Sequence, residues 1–216
     1  MNKAIIFDIH HCSTSDGPGI RTTVFFKGCN LRCAWCHNPE GQEFKPQMMF
    51  YKDKCTGCGK CTEVCPTPKN CTLCGKCSFY CPIDARKVCG KEYTVDEVFD
   101  EIIKDKAFYE NSGGGVTFSG GDPFEQAENF SVLAKMVHEL GLDIVTYTGY
   151  TFEQLYKGMS KNEGWRHLLE QTDILIDGKF ELSKKSLNCK FRGSTNQRVL
   201  DAKKSLKEGI AIEVEI

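Results

Sequence analysis

Between residues 28 and 41 the chain reads GCNLRCAWCHNPEG, which spaces Cys29, Cys33 and Cys36 as C-x3-C-x2-C. Three thiols this close are a metal-ligating arrangement, yet a structural zinc site takes four ligands. A cubane iron–sulfur cluster has four irons, so three thiolates leave one iron with a free coordination position. An open position is what separates catalytic from structural zinc sites, and the same logic makes this loop a candidate reaction centre. A partial zinc site is the alternative that spacing alone leaves open.

Two further runs, CTGCGKCTEVCP (55–66) and CTLCGKCSFYCP (71–82), both read C-x2-C-x2-C-x3-C-P, the pattern of bacterial ferredoxins. In two-cluster ferredoxins the fourth cysteine of each run crosses to the other cluster. On that pattern one cube takes Cys55, Cys58, Cys61 and Cys81, and the other takes Cys71, Cys74, Cys77 and Cys65. Zinc also binds C-x2-C pairs, but two successive quartets ending in Cys-Pro favour iron–sulfur. Each of these cubes has four protein ligands and no open iron. The stretch therefore reads as an electron relay, not a reaction site.

Composition narrows the class. The 216 residues carry 14 cysteines, a formal net charge of −1 and 40% hydrophobic residues. Eleven cysteines lie between 29 and 81; Cys12, Cys89 and Cys189 stand apart and read as small buried hydrophobes. The near-zero charge gives no electrostatic case for nucleic acid or a membrane as a standing partner, and no run approaches ~18 apolar residues. The N-terminal MNKAIIFDIHHC is followed by no small-residue cleavage site, which reads against a signal peptide and for a cytoplasmic protein. Dense cysteine in that setting predicts metal ligation in preference to disulfides.

Three strands must position the chemistry. TTVFFKG (22–28) is a β-branched and aromatic run that delivers the cysteine loop from its C-terminal end. GGGVTFSGGDP (113–123) places Gly120, Gly121 and Asp122 just past a short strand at Val116 to Phe118, and glycines let backbone come close to a ligand. TDILIDGKF (172–180) ends an apolar strand in Asp177-x-Lys179, at the strand end where barrel enzymes place their chemistry; a turn with an exposed lysine is the bland equivalent. Helical periods follow at 94–109, with Thr94 as cap, and at 127–141, then a strand at 142–150, a short helix near 164–172 and a last alternating strand in GIAIEVEI.

Strands alternating with helices predict an α/β fold with a parallel sheet and helices outside it. Removing an insert of about 50 residues leaves about 165, where a full eight-unit barrel needs ~250. The expectation is an open, partial (β/α) barrel of about six units, formed by 1–45 and 92–216, with a ferredoxin-like iron–sulfur domain inserted at 46–91.

DGPGIRTTVFFKGCNLRCAWCHNP (16–39) resembles the N-terminal signature of glycyl radical enzyme activating enzymes, within the radical S-adenosylmethionine (SAM) superfamily. The resemblance extends over most of the chain. It implies three [4Fe–4S] clusters, one binding SAM and two auxiliary, and a SAM whose amino and carboxylate groups chelate the open iron. It assigns Gly120, Gly121 and Asp122 to the SAM amino group, at a place where the family more often has Glu than Asp. Trp35, Cys36 and His37 border the adenine, and Asp177 and Lys179 lie beside SAM. Arg198 is the candidate for the SAM carboxylate. The family's cation site often uses an Asp-Thr pair; here the place reads Tyr147-Thr148-Gly149, which keeps only Thr148.

The implied reaction passes one electron into the SAM sulfonium. The resulting 5′-deoxyadenosyl radical takes a hydrogen from a backbone glycine of a partner glycyl radical enzyme, with no side-chain general base. An electron donor such as flavodoxin or ferredoxin is the second implied partner. The paired auxiliary runs resemble activators of anaerobic lyases, decarboxylases and dehydratases. FRGSTNQRVLD (191–201) and the short barrel resemble activators of anaerobic ribonucleotide reductase. Two other readings are weaker. A radical SAM peptide-modifying enzyme carries its extra clusters C-terminal to the barrel, where this chain has only Cys189. An electron-transfer iron–sulfur protein needs only residues 55–81.

Overall fold

The computed structural model describes residues 3–216. In chain order come β1 (Lys3–Ser13), β2 (Arg21–Phe26), β3 (Gln47–Phe50), α1 (Lys60–Glu63), α2 (Lys76–Phe79), β4 (Arg86–Cys89), β5 (Lys91–Thr94), α3 (Val95–Ile103) and α4 (Lys106–Ser112). They are followed by β6 (Val116–Gly120), α5 (Ala127–Glu139), β7 (Ile144–Tyr147), α6 (Phe152–Gly158), α7 (Glu163–Gln171), β8 (Ile174–Asp177), β9 (Arg198–Asp201) and α8 (Ala202–Glu208). The fold is mixed α/β. Among the described residues, no helix is long and apolar enough to cross a membrane.

Seven strands form one sheet in the order β5-β1-β2-β6-β7-β8-β9. The central four, β2, β6, β7 and β8, are parallel; β1 runs antiparallel to β2 and β5, and β9 antiparallel to β8. Four parallel strands thus stand where sequence arithmetic led to about six strand–helix units. The physical reason is in the connections: a parallel return needs a crossover, usually a helix. Only residues 14–20 join β1 to β2, and 178–197 carry no α-helix between β8 and β9. GIAIEVEI also differs from expectation, forming one isolated bridge from Glu213 to Leu200 in place of a strand. Its alternation is still used, because Val214 and Ile216 pack on Val145, Ile176 and Val199.

The helices form for local reasons and bury one stripe each. Thr94 closes a capping box with Glu97 at the start of α3, and Thr151 does so with Gln154 at α6, each cap contributing about 1 kcal/mol. The helical period read over 94–109 is broken at Asp105. That residue is buried, and its carboxylate accepts from Thr22 Oγ1 at 2.6 Å and lies 2.8 Å from His11 Nδ1. In α5, Phe130, Leu133, Ala134 and Val137 are buried, with Phe130 and Phe118 rings 5.7 Å apart. Phe130, Leu133 and Val137 each contribute about 1.5–3 kcal/mol by that burial.

One end of the parallel strands is clamped. Arg21, fully buried, donates to Thr117 Oγ1 at 2.8 Å, to Val116 O at 2.7 Å and to the Asp143 carboxylate at 3.2 Å. These contacts tie the starts of β2 and β6 to the residue before β7, leaving the C-terminal ends for the site. Separately, β3 and β4 make a two-stranded antiparallel ribbon, from Gln47 opposite Cys89 to Phe50 opposite Arg86. Helices α1 and α2 lie in the segment between its strands.

Candidate functional site

The cysteine loop leaves the C-terminal end of β2 and is closed at its base. Gly28 N donates to Gly41 O at 2.7 Å and Cys29 N to Gln42 O at 3.1 Å. From the neighbouring strand end, Gly121 N donates to Phe26 O at 2.6 Å and Asp122 N to Gly28 O at 2.9 Å. A β-carbon at Gly120 would lie 2.3 Å from Phe26 N, and one at Gly121 would lie 2.3 Å from Gly28 O. Both glycines are thus required by backbone meeting backbone. Cys29 is buried, and burial pushes its thiol up to about 11, with Asp122, Cys33 and Cys36 nearby adding to the shift. Cys33 is also raised by burial; Lys179 is close enough to offset part of that.

Asp122 is 1% exposed and turned inward. Its carboxylate accepts from Phe124 N (3.1 Å), Gly149 N (3.0 Å) and the Thr148 hydroxyl, which lies 3.1 and 2.9 Å from its two oxygens. Burial pushes this carboxyl up to about 7, against those donors, which pull it down. Asp122 and Thr148 therefore act as a strap between the ends of β6 and β7, and three donors already face the Asp122 carboxylate.

Asp177, at the end of β8, is likewise buried and engaged. It accepts from Phe152 N at 2.7 Å and from Arg198 Nε at 3.0 Å. The Arg198 guanidinium also grips both Glu153 oxygens at 2.9 Å. These two carboxylates raise the Arg198 pKa, and Arg198 holds Glu153 down to about 2. Lys179 is exposed and, among the described residues, makes no ion pair. Asp177, Lys179 and Arg198 line an open cleft of about 430 Å³ together with Gly149, Gly178 and Asn196. Asn196 Oδ1 is buried without a hydrogen-bond partner, while its amide donates to Lys179 O at 2.8 Å. Trp35 is 63% exposed and His37 is exposed, so both lie on the open side of the loop.

Around the β3–β4 ribbon, Cys55, Cys58, Cys61 and Cys81 line one small cavity with Phe50, Ile83 and Arg86. Arg86 Nε is buried and has no hydrogen-bond partner. Ala85 N donates to Cys81 Sγ at 3.2 Å, and such backbone donors hold the Cys81 thiol below its usual value. Cys77 is pushed up by burial and by the nearby Cys65 and Cys71. Gly57 and Leu73, at equivalent places in the two runs, both have positive φ, 73° and 55°. The second run thus keeps the turn of the first at a cost of about 1–2 kcal/mol for its leucine. All fourteen thiols are free. Among the described residues, no three His, Cys, Asp or Glu side chains converge on a lone metal ion.

The family model of the 4Fe-4S single cluster domain matches residues 15–200. The benzylsuccinate synthase activating enzyme of Thauera aromatica is 46% identical over 68% of this chain and 50% of its own length. The trans-4-hydroxy-L-proline dehydratase activating enzyme of Clostridioides difficile is 38% identical over the whole chain and 73% of its own length. The (2S)-3-sulfopropanediol dehydratase activating enzyme of Klebsiella oxytoca is 38% identical over 82% and 60%. The chain belongs to the radical SAM family of glycyl radical enzyme activating enzymes. It spans about half to three quarters of the length of these curated relatives.

The donor sets of the chain fit the groups its family implies. Three free thiols from one short loop suit a cube with one open iron. The orphaned Arg86 Nε beside four cysteines is a donor that an acid-labile sulfide would satisfy. Asn196 Oδ1 and the free Lys179 leave one acceptor and one cation for a polar ligand in the cleft. Sequence reasoning missed Asn196, and also Glu125, which accepts from Asn30 Nδ2 at 2.6 Å and Tyr150 hydroxyl at 2.5 Å and so ties the cysteine loop to two strand ends. No spacing signal marks either residue.

Proposed function

We propose that this protein reductively cleaves S-adenosylmethionine and removes a hydrogen atom from a backbone glycine of a partner glycyl radical enzyme. The observation that carries the reading is the placement of Cys29, Cys33 and Cys36. Their loop is held at the C-terminal ends of four parallel strands, beside a cleft with unpartnered polar groups. The bound cube and SAM supply the one-electron bond cleavage. The chain's own contribution is to orient and to exclude water.

Lys179 and Asn196 are the cleft's free cation and acceptor for SAM, while Trp35, Cys36 and His37 border its adenine. Gly120 and Gly121 let strand and loop close up. Asp122, Thr148, Asp177 and Arg198 support the site mainly through each other. The frame is an open (β/α) partial barrel from 1–45 and 92–216, and 46–91 is a ferredoxin-like insert. Two auxiliary [4Fe–4S] clusters with crossed ligands, Cys55, Cys58, Cys61 with Cys81 and Cys71, Cys74, Cys77 with Cys65, are supported by the cavity the first set lines and by Cys65 and Cys71 adjoining Cys77. Flavodoxin or ferredoxin is the electron source. The relatives' names favour a lyase or dehydratase as the partner.

The test is anaerobic. Reconstituted protein, SAM and dithionite are mixed with hydroxyproline dehydratase or benzylsuccinate synthase labelled with α-deuterated glycine. A glycyl radical signal and deuterium in 5′-deoxyadenosine are expected. Formation of 5′-deoxyadenosine without deuterium or radical, with both partners, would overturn the reading.

A further inference from the structure

The register of the β3–β4 ribbon orders the two auxiliary cysteine sets. Its rooted end is Gln47 opposite Cys89, where Cys89 is buried with Sγ 3.7 Å from Glu40 O and Gly90 leads into β5. One step outward, Met48 pairs with Val88, and Cys77 Sγ lies 3.9 Å from Met48 Sδ. At the outer end Phe50 pairs with Arg86, and both line the cavity of Cys55, Cys58, Cys61 and Cys81. At ~3.3 Å rise per residue the outer end stands about 10 Å from the rooted one. A protein approaching from solution at that end meets the set of Cys55, Cys58, Cys61 and Cys81.

The outer end is both apolar and basic. Phe79 is 84% exposed and Tyr80 53%, their rings edge-to-face at 5.2 Å just before Cys81. Lys52, Lys54 and Lys60 are exposed beside Phe50 and the cavity. Residues 46–91 hold eight Lys and Arg against three Asp and Glu, a surplus of five, so with a chain total of −1 the remaining residues sum to −6. Among the described residues, Lys87 is the only one of those eight cations in an ion pair, with Asp8 at 4.0 Å. Two four-thiolate cubes take back about two charges each, so the basic character of this end rests locally on Lys52, Lys54 and Lys60. Exposed aromatics are enriched at protein interfaces, and exposed lysines beside them steer a partner of opposite sign.

We infer that the outer end of the ribbon, with Phe79, Tyr80, Lys52, Lys54 and Lys60, is the docking surface for an acidic single-electron carrier protein. The inference rests on the relay reading of the insert. Reconstituted protein is titrated calorimetrically with a flavodoxin of net negative charge at low and high salt. Lys52→Glu, Lys54→Glu and Lys60→Glu combined should weaken binding at least about tenfold and flatten its salt dependence. The same charge change elsewhere, Lys135→Glu, Lys161→Glu and Lys207→Glu, should stay within about twofold. Phe79→Ser with Tyr80→Ser should weaken binding at unchanged salt slope. Iron content and dithionite bleaching equal to the parent show that the variants are folded. Equal weakening by the two charge triples, or undiminished binding in the outer triple or the aromatic pair, overturns the surface. Charge-dependent binding of the parent, with no bleaching of its iron–sulfur absorbance by the same flavodoxin reduced beforehand to its hydroquinone, leaves the surface standing and removes the relay.

Discussion

Gly121 and Arg198 each hold part of the site through contacts that a substitution would break. At Gly121 any β-carbon meets Gly28 O at 2.3 Å and Gly41 O at 2.6 Å, and neither backbone carbonyl can yield without opening the cysteine loop. Gly121→Ala should cost about 2 kcal/mol or more and lose the iron of the Cys29 loop while the insert keeps its own, read by thermal unfolding and iron assay. Arg198 is the second case. Arg198→Gln removes the guanidinium from Asp177, which is 1% exposed and then keeps Phe152 N as its main donor. Stranding that carboxylate should cost about 3–5 kcal/mol. Denaturant unfolding should register the loss, with calorimetric SAM affinity changing less than stability does. The cysteine spacing and the Asp177-x-Lys179 pair were legible because they are local. The inward turn of Asp122 was not, since its donors Thr148 and Gly149 lie more than twenty residues away in sequence.

Among the elements, α5 is fastened to the turn before β8 by His138 Nε2 and Asp173 Oδ2 at 2.8 Å. The hydrogen bond to Asp173 holds the His138 pKa above its ordinary 6.5. Its contribution is full below 6.5 and is lost as pH rises through the raised value. Asp173 is held down to about 2 from 3.8: burial pushes it up, but the hydrogen bonds from His138 and Lys203 outweigh that. Its contribution is present above 3.8 and lost only as pH falls through about 2. The melting temperature should therefore fall by a few degrees between pH 6 and 8.5, and His138→Gln should remove that part of the fall. A slope unchanged in the variant would place its origin elsewhere. Helix and strand existence was legible from periodicity and capping residues. The break at Asp105 and the antiparallel edges were not, because a buried carboxylate and the content of a connection decide them.

At the scale of the whole molecule, the proposed function needs a sheet that holds the reaction site and a ribbon that brings electrons to it. The two cysteine runs were plain in the sequence because their spacing is local, while their order along the ribbon appeared only with the β3–β4 register. The division makes the parts separable by ligand. Three cubes predict roughly twelve irons per chain, of which about eight belong to cysteines outside the 29–36 loop. The most direct test of the central claim is Cys33→Ala, reconstituted anaerobically and supplied with SAM and dithionite, with 5′-deoxyadenosine measured against iron content. The account predicts that most of the iron is retained and that 5′-deoxyadenosine formation is lost. Formation at the parent rate would contradict it, because the reaction would then not depend on the three-cysteine loop.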